Sequence, residues 1–254
     1  MAIENSYRES EEILKPQHVS EKYHKKYQTI IVTFQSKVLQ GLLDNNLVTV
    51  IHDRTFGSAH SKNAIYELVD NEGVLFYLSP IGAPITVGIL EEIVYAMGIK
   101  NIIMYGTCGV LDKNLVEGKI IIPIKAYRDE GTSYHYQEAS EFIDVSNESI
   151  VANVLDTLNV EYVKGYTWTT DAFYRETKEI FNERKSQGCI SVEMEISAVQ
   201  ALSNLRGLNL YTFIYSADNL DSSKWDKRLL GSFTIEDRIK YFMIASEIAS
   251  TITK

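Results

Sequence analysis

The stretch GCISVEMEISAVQAL (188–202) sets two carboxylates, Glu193 and Glu195, inside a run that otherwise has the composition of a buried core. A charge in such surroundings is costly unless something pairs with it. Ile190, Val192 and Met194 alternate with Ser191, Glu193 and Glu195, which predicts a strand that projects both acids from one face as it runs into a helix. A wet edge strand or an acid-favouring helix N-terminus accounts for Glu193 alone. Neither suits both acids beside Ile196, Val199, Leu202 and Leu205. In MYGTCG, the glycines of Gly106-Thr107-Cys108-Gly109 at a strand exit would let backbone N–H groups and the Thr107 hydroxyl approach an anion; a plain tight turn explains the same tetrapeptide. Cys108 has no histidine partner in sequence and reads as a small packing residue. In YSADNLD, Asp218 follows an apolar strand, where a carboxyl of raised pKa can donate a proton near neutrality, or can simply cap a turn.

These residues need a scaffold, and the apolar patterning supplies one. Strands are predicted at 28–34, 47–53, 73–79, 101–106, 119–127, 162–170, 189–194 and 210–217, several of them continuously apolar, as strands covered on both faces are. Helical spacing marks 83–98, 148–158, 195–207 and 235–252. The alternation predicts a single-domain three-layer α/β/α fold with a central mixed, largely parallel sheet. The strands at 189 and 210, joined by one helix and a short turn, predict a right-handed parallel crossover. Ligands of such sheets bind at the carboxyl ends of strands, where the unusual polar residues fall.

Composition narrows the partners. The chain has 254 residues, 45% of them hydrophobic, and a formal net charge of -9, with no long run of basic residues. Nucleic acid and anionic membrane are therefore disfavoured as partners. Two cysteines and five histidines form neither a disulfide framework nor a metal-ligand pattern, so no metal is expected. The polar, acidic N-terminus lacks the pattern of a secretory signal, and no apolar run approaches a bilayer span, which predicts a cytoplasmic protein. Residues 1–25 read as an N-terminal extension and 26–254 as one domain.

The ordered set GAPITVGILEEI, MYGTCGVLDKNLVEGKIIIP, TTDAFYRET, GCISVEMEISAVQAL and YSADNLD resembles the nucleoside phosphorylase family, which includes purine nucleoside and uridine phosphorylases and related nucleosidases. The resemblance covers about residues 80–220, and VEME is its most specific part. It implies cleavage of a nucleoside N-glycosidic bond, foremost phosphorolysis of a purine nucleoside, with phosphate as co-substrate, no other cofactor, and a homo-oligomer, a dimer or a trimer of dimers. By resemblance, Glu195 would hydrogen-bond the ribose hydroxyls, with Met194 packed on the sugar and Glu193 beside it. Phe173 and Val192 would face the base, Asp218 would protonate the departing purine, and Gly106 and Thr107 would lie in the phosphate site. By its spacing from the first strand, His18 reads either as the residue reaching a neighbouring subunit's site or as a plain surface histidine.

The sequence also departs from the family pattern. A Gly-Asp-Pro-x-Arg segment is expected after the first strand, where TFQSK (Thr33 to Lys37) stands, and an arginine is expected where Met104 stands. Arg175, and after it Arg128, Lys37 and Arg54, are the replacement candidates for phosphate. Without such a replacement, a phosphate-independent nucleosidase follows. A uridine phosphorylase and a nucleoside-binding or sensing protein are the further alternatives. AYRDEGTSYHY (126–136) reads as a solvated polar loop or a subunit-interface segment.

Overall fold

The computed structural model describes residues 3–116, 119–222, 226 and 233–253. Its strands are β1 (Thr29–Thr33), β2 (Val48–Gly57), β3 (Lys62–Leu68), β4 (Val74–Leu78), β5 (Asn101–Val110), β6 (Ile120–Asp129), β7 (Phe142–Asp144), β8 (Tyr162–Thr170), β9 (Cys189–Glu193) and β10 (Asn209–Asn219). The helices are α1 (Ser36–Asp44), α2 (Ala83–Met97), α3 (Lys113–Val116), α4 (Ser133–Tyr136), α5 (Glu148–Thr157), α6 (Lys178–Ser186), α7 (Ile196–Arg206) and α8 (Ile235–Ile252).

Each predicted strand and helix is present. The elements the patterning missed are those with little apolar continuity: β3 and β7 at the sheet's margins, the polar α6, and the short helices α1, α3 and α4. Alternation along the central strands feeds two cores. Ile30, Val32, Ile102 and Met104 pack with α2 and α7 on one face, while Ile31, Ile103 and Tyr105 pack with α1, α5 and α8 on the other. Burial on both faces is why the middle of β1, Ile30, Ile31 and Val32, is continuously apolar.

The sheet runs β10-β6-β8-β9-β5-β1-β4-β3-β2, and β10 also pairs with β5. Five strands, β5, β10, β6, β8 and β9, therefore close into a ring, and β1, β4, β3 and β2 extend from it as an open wing. The parallel crossover expected between β9 and β10 is not formed. β10 is antiparallel to β6, which is parallel to β8 and so to β9, making β9 and β10 antiparallel. The ring brings the carboxyl end of β5 between them: Gly109 pairs with Val192 of β9 on one side and Asp218 of β10 on the other.

That double pairing explains Gly109. A Cβ there would lie 2.6 Å from Leu220 Cδ1 and 2.9 Å from Val192 Cγ1. We expect Gly109→Ala to destabilise the fold by about 2 kcal/mol through overpacking, read as a lower midpoint in urea denaturation.

The N-terminal segment lies along α2, where Tyr23 N–H donates to Ala96 O at 2.8 Å and the Ser20 hydroxyl donates to Glu92 at 3.2 Å. Residues 126–136 are not a solvated loop. Arg128 is 2% exposed, and its guanidinium donates to Ser133 Oγ, Ser140 Oγ and the carbonyls of Gln137 and Glu138. No helix among the described residues is long and apolar enough to cross a membrane.

Candidate active site

The ring leaves a gap in the sheet. β1 pairs with β5 only as far as Met104, and β9 joins β5 only from Gly109, so one edge of β5 between these points has no strand paired to it. A cleft of about 1150 Å³ opens there, with Thr107, Cys108, Val192, Glu193, Met194, Glu195 and Asp218 in its wall. Below it, a recess of about 20 Å³ is bounded by Phe34, Met104, Gly106, Thr107, Glu193, Glu195 and Ile196, among others. The recess has room for about one water molecule. Gly106 and Thr107 belong to a continuous strand rather than to a turn: β5 runs on to Val110, and this stretch is paired along its other edge with β10.

The two glutamates part company at the strand end. β9 stops at Glu193, and Glu195 takes the N-cap position of α7. Glu193 turns beneath that helix: one carboxylate oxygen accepts the N–H groups of Glu195 and Ile196, both at 2.7 Å, and the other accepts the Thr169 hydroxyl at 2.5 Å. The first N–H groups of a helix have no partner within it, and Glu193 satisfies two of them. Thr169 Oγ1 in turn accepts Ser197 N–H, and the Ser197 hydroxyl donates to Glu130 at 2.8 Å. The acid thus belongs to a buried network that anchors α7, and among the described residues its hydrogen-bond partners include no arginine.

Glu195, 6% exposed, instead accepts the N–H of Gly82 at 2.6 Å from across the sheet. Gly82 precedes α2 with φ +114, a conformation that L residues rarely adopt. Burial raises both carboxyls, Glu193 to about 7 and Glu195 to about 8; the charge of Glu193 adds to the rise of Glu195, and the Gly82 bond opposes it. Burial, then the charges of Asp218 and Glu193, push the Cys108 thiol well above its usual range, which leaves it no thiolate character.

Of the residues singled out in the sequence, Val192, Glu193, Met194, Glu195, Asp218, Thr107 and Phe173 line the cleft, and Gly106 borders the recess. Phe173 is half exposed, in a 3-10 turn spanning Phe173–Arg175, so its ring stands at the cleft mouth. Arg175 in the same turn is exposed and is not part of the cleft wall. The other candidate cations are also elsewhere. Arg128 is occupied as above, Lys37 is exposed on α1, and Arg54 lines a separate polar depression with its guanidinium over Tyr23. His18 is exposed in a turn beside α2, its Nδ1 accepting the N–H of Lys15. Among the described residues, the cations in the cleft wall are Lys113 of α3 and Lys178 of α6. Sequence reasoning passed over both, along with Phe34, which fills the gap in the sheet: a Cβ on Gly106 would lie 3.2 Å from its ring. It also passed over Glu176, which lies in an irregular segment where no periodicity could reveal it.

An α/β protein with a ring-closed sheet and an acid-lined cleft at the carboxyl ends of its strands is thus defined by fold and site. The profile of the phosphorylase superfamily matches residues 29–248, and the chain belongs to this superfamily. Among its relatives are DeoD-type purine nucleoside phosphorylases of Bacillus cereus, 27% identical over 145 residues, and of Bacillus thuringiensis, 26% identical over 145 residues. Each match covers 55% of this chain and 61% of the relative, so the shared region spans less than two thirds of those proteins. In fold, the chain is similar to an AMP nucleosidase from Bacteroides thetaiotaomicron, with a TM-score of 0.70, 18% identity and 90% of each chain covered. It is equally similar to a futalosine hydrolase mutant from Helicobacter pylori, with a TM-score of 0.70 and 15% identity, covering 89% of this chain and 99% of the other.

Proposed function

We propose that the protein hydrolyses the N-glycosidic bond of a purine nucleoside or a close derivative, with water as the nucleophile. One observation carries this reading. The recess under Gly106 and Thr107, where a phosphate would need cations, is bounded by the Phe34 ring and two buried carboxylates, with no cation among its described residues. A phosphate dianion in the recess meets no counter-charge there and is repelled wherever Glu193 or Glu195 ionises, whereas a single water fits the space. The names of the structural neighbours, a nucleosidase and a hydrolase, agree with it.

In this reading, Glu195 hydrogen-bonds the ribose hydroxyls, Met194 packs on the sugar, and Phe173 and Val192 flank the base. As the C1′–N9 bond breaks, its electron pair goes to the base and positive charge grows on the sugar. Glu195 faces that charge in a water-poor site; the growing positive charge favours its ionised form against the raised pKa, and the attraction strengthens in the transition state. A cleft carboxyl gives its proton to the base. The water oxygen bonds to C1′, and the proton it loses returns to the cleft carboxylates through solvent, so each turnover restores the starting state.

Phosphorolysis, giving ribose 1-phosphate, is the second reading, favoured by the DeoD-type relatives. Assembly into a homo-oligomer, with His18 reaching a neighbouring subunit, is part of either reading. The test is release of free base from adenosine, inosine and uridine, with and without phosphate. We expect purine release without phosphate and no gain on adding it. Release that depends on phosphate overturns hydrolysis in favour of phosphorolysis; binding without release from any substrate makes the protein a nucleoside-binding one.

A further inference from the structure

The ring of Phe34 closes the gap in the sheet, yet Phe34 lies just past the end of β1, which stops at Thr33. Its anchor is on the other side of the sheet. Phe34 packs toward the core under α2 and α7, whereas the next residue, Gln35, reaches into the α1 and α8 layer. There its Oε1 accepts the Tyr215 hydroxyl at 3.1 Å and a guanidinium N–H of Arg238 in α8. Gln35 holds the N-cap position of α1 without capping the helix, because its side chain is committed to these two donors. α1 and α8 are in close contact as well, since a Cβ on Gly41 would lie 2.6 Å from Ile235. Arg238 is an unusual resident of this layer. It is 8% exposed, its guanidinium lies 5.5 Å from the centre of the Phe233 ring, and its Nε is buried without a hydrogen bond. Among the described residues its polar neighbours are Gln35 and Tyr215, and no carboxylate is paired with it. A buried cation without a counter-ion weakens a fold, so stability does not explain its presence.

We infer that Arg238 is a positioning residue of the site: through Gln35 it keeps the Phe34 ring in the gap, so that the recess admits water and nothing larger. This rests on the hydrolysis reading of the cleft. Gln35 has an extended backbone, and consecutive residues of extended chain point to opposite faces. Anchoring Gln35 in one layer therefore fixes the direction of Phe34 in the other. The main chain is tied on either side of the ring, by Ser79 N–H to Thr33 O and by Val38 N–H to Gln35 O, each at 2.9 Å. An apolar ring has no polar group of its own to hold it, and the cleft beside it has room to receive it. With Gln35 released, the ring is free to turn outward, and the recess, about 20 Å³ with the ring in place, opens into the cleft. The nucleophile is then chosen by size. An alcohol, barred while the ring is seated, attacks as water does: its oxygen bonds to C1′, the C1′–N9 electron pair goes to the base, and its hydroxyl proton goes to the cleft carboxylates. The product is an alkyl riboside in place of ribose.

The test uses the full chain and Arg238→Met, Gln35→Met, Gln35→Glu and Phe34→Ala, each incubated with adenosine or inosine in methanol–water mixtures without phosphate. The readout is the ratio of methyl riboside to ribose. One added carbon in a tight pocket is worth about 10-fold, so the wild type should form about 10-fold less methyl riboside than the share of methanol alone would give. Arg238→Met, Gln35→Met and Phe34→Ala should each raise the ratio by about 10-fold, while Gln35→Glu, which keeps an acceptor for both donors, should stay within about 2-fold of wild type. A merely structural role for Arg238 would change total base release along with the melting temperature and leave the ratio where it was. A ratio raised by Phe34→Ala but not by Arg238→Met and Gln35→Met overturns the role of Arg238; a ratio unmoved in all three overturns that of Phe34 as well. If the wild type releases no base, or releases it only with phosphate, the hydrolysis reading fails by itself. Crystal structures of the wild type and Arg238→Met then decide: a residue 34 ring displaced from the gap in the variant alone upholds the positioning role, and an unmoved ring refutes it.

Discussion

Glu195→Gln is expected to abolish most turnover, by about 10³-fold, while raising the stability of the ligand-free protein at about pH 8. The two effects have one origin. The Glu195 carboxyl is 6% exposed, stands beside Glu193, and burial pushes its pKa in the folded state up to about 8 from an ordinary 4.5. For an acid raised in the folded state, the native protein binds the extra proton between those values. Stability is therefore fully present below the unfolded pKa and is lost as pH rises toward about 8, after which it is level. Glutamine keeps an oxygen for the Gly82 N–H and removes the charge. The variant should gain about 2 kcal/mol at about pH 8, or several degrees in Tm, and almost nothing near pH 5. Thermal melts at the two pH values, with base release alongside, check it. A variant that melts lower than wild type at the higher pH, with turnover intact, makes Glu195 a structural acid. A residue kept in the form that weakens the empty protein is what a site reserved for a ligand's hydroxyls and positive charge requires.

How far the sequence disclosed this arrangement depends on the kind of signal. β1, β5 and β10 are covered by helices on two faces, so their apolar runs stood out, as did the periodic helices α2, α5, α7 and α8. β3 in the wing is mostly partly exposed, with only Ile65 and Leu68 buried, and α6 is mostly polar, so neither carried a pattern above its surroundings. Ring closure was hidden for another reason. Strand pairing at Gly109 joins segments some 80 and 110 positions apart in the chain, and only the close approach that forbids a Cβ records it. TFQSK did hold a visible trace of the site, the absence of an expected cationic segment, but not that Phe34 fills the gap instead. The VEME acids were legible as a pair and not as individuals, because strand alternation says nothing about where the strand ends. Helix α7 begins one residue after Glu195, and the unpaired N–H groups at its start draw the Glu193 carboxylate inward.

That division between the acids predicts opposite behaviour for Glu193. Glu193→Ala removes the acceptor of two helix N–H groups and of the Thr169 hydroxyl, all in a buried setting. Loss of a helix cap together with unsatisfied buried donors should cost about 3 kcal/mol. Relief of the raised Glu193 pKa, about 7, offsets only part of this, and only above the unfolded pKa. Turnover should fall with stability, since the backbone N–H of Glu195 is one of the groups released. Glu193→Gln separates the possible roles. Its amide oxygen can still accept both N–H groups and its NH₂ can donate to Thr169 Oγ1, so stability and turnover should each stay near wild type. If Glu193 touched the sugar as a carboxylate, the same variant would melt like wild type yet lose turnover by about 10²-fold or more. Urea denaturation midpoints and kcat/KM for Ala and Gln at positions 193 and 195 therefore give a two-by-two pattern. At 195, charge matters for chemistry and harms stability; at 193, the acceptor matters for stability and the charge is dispensable.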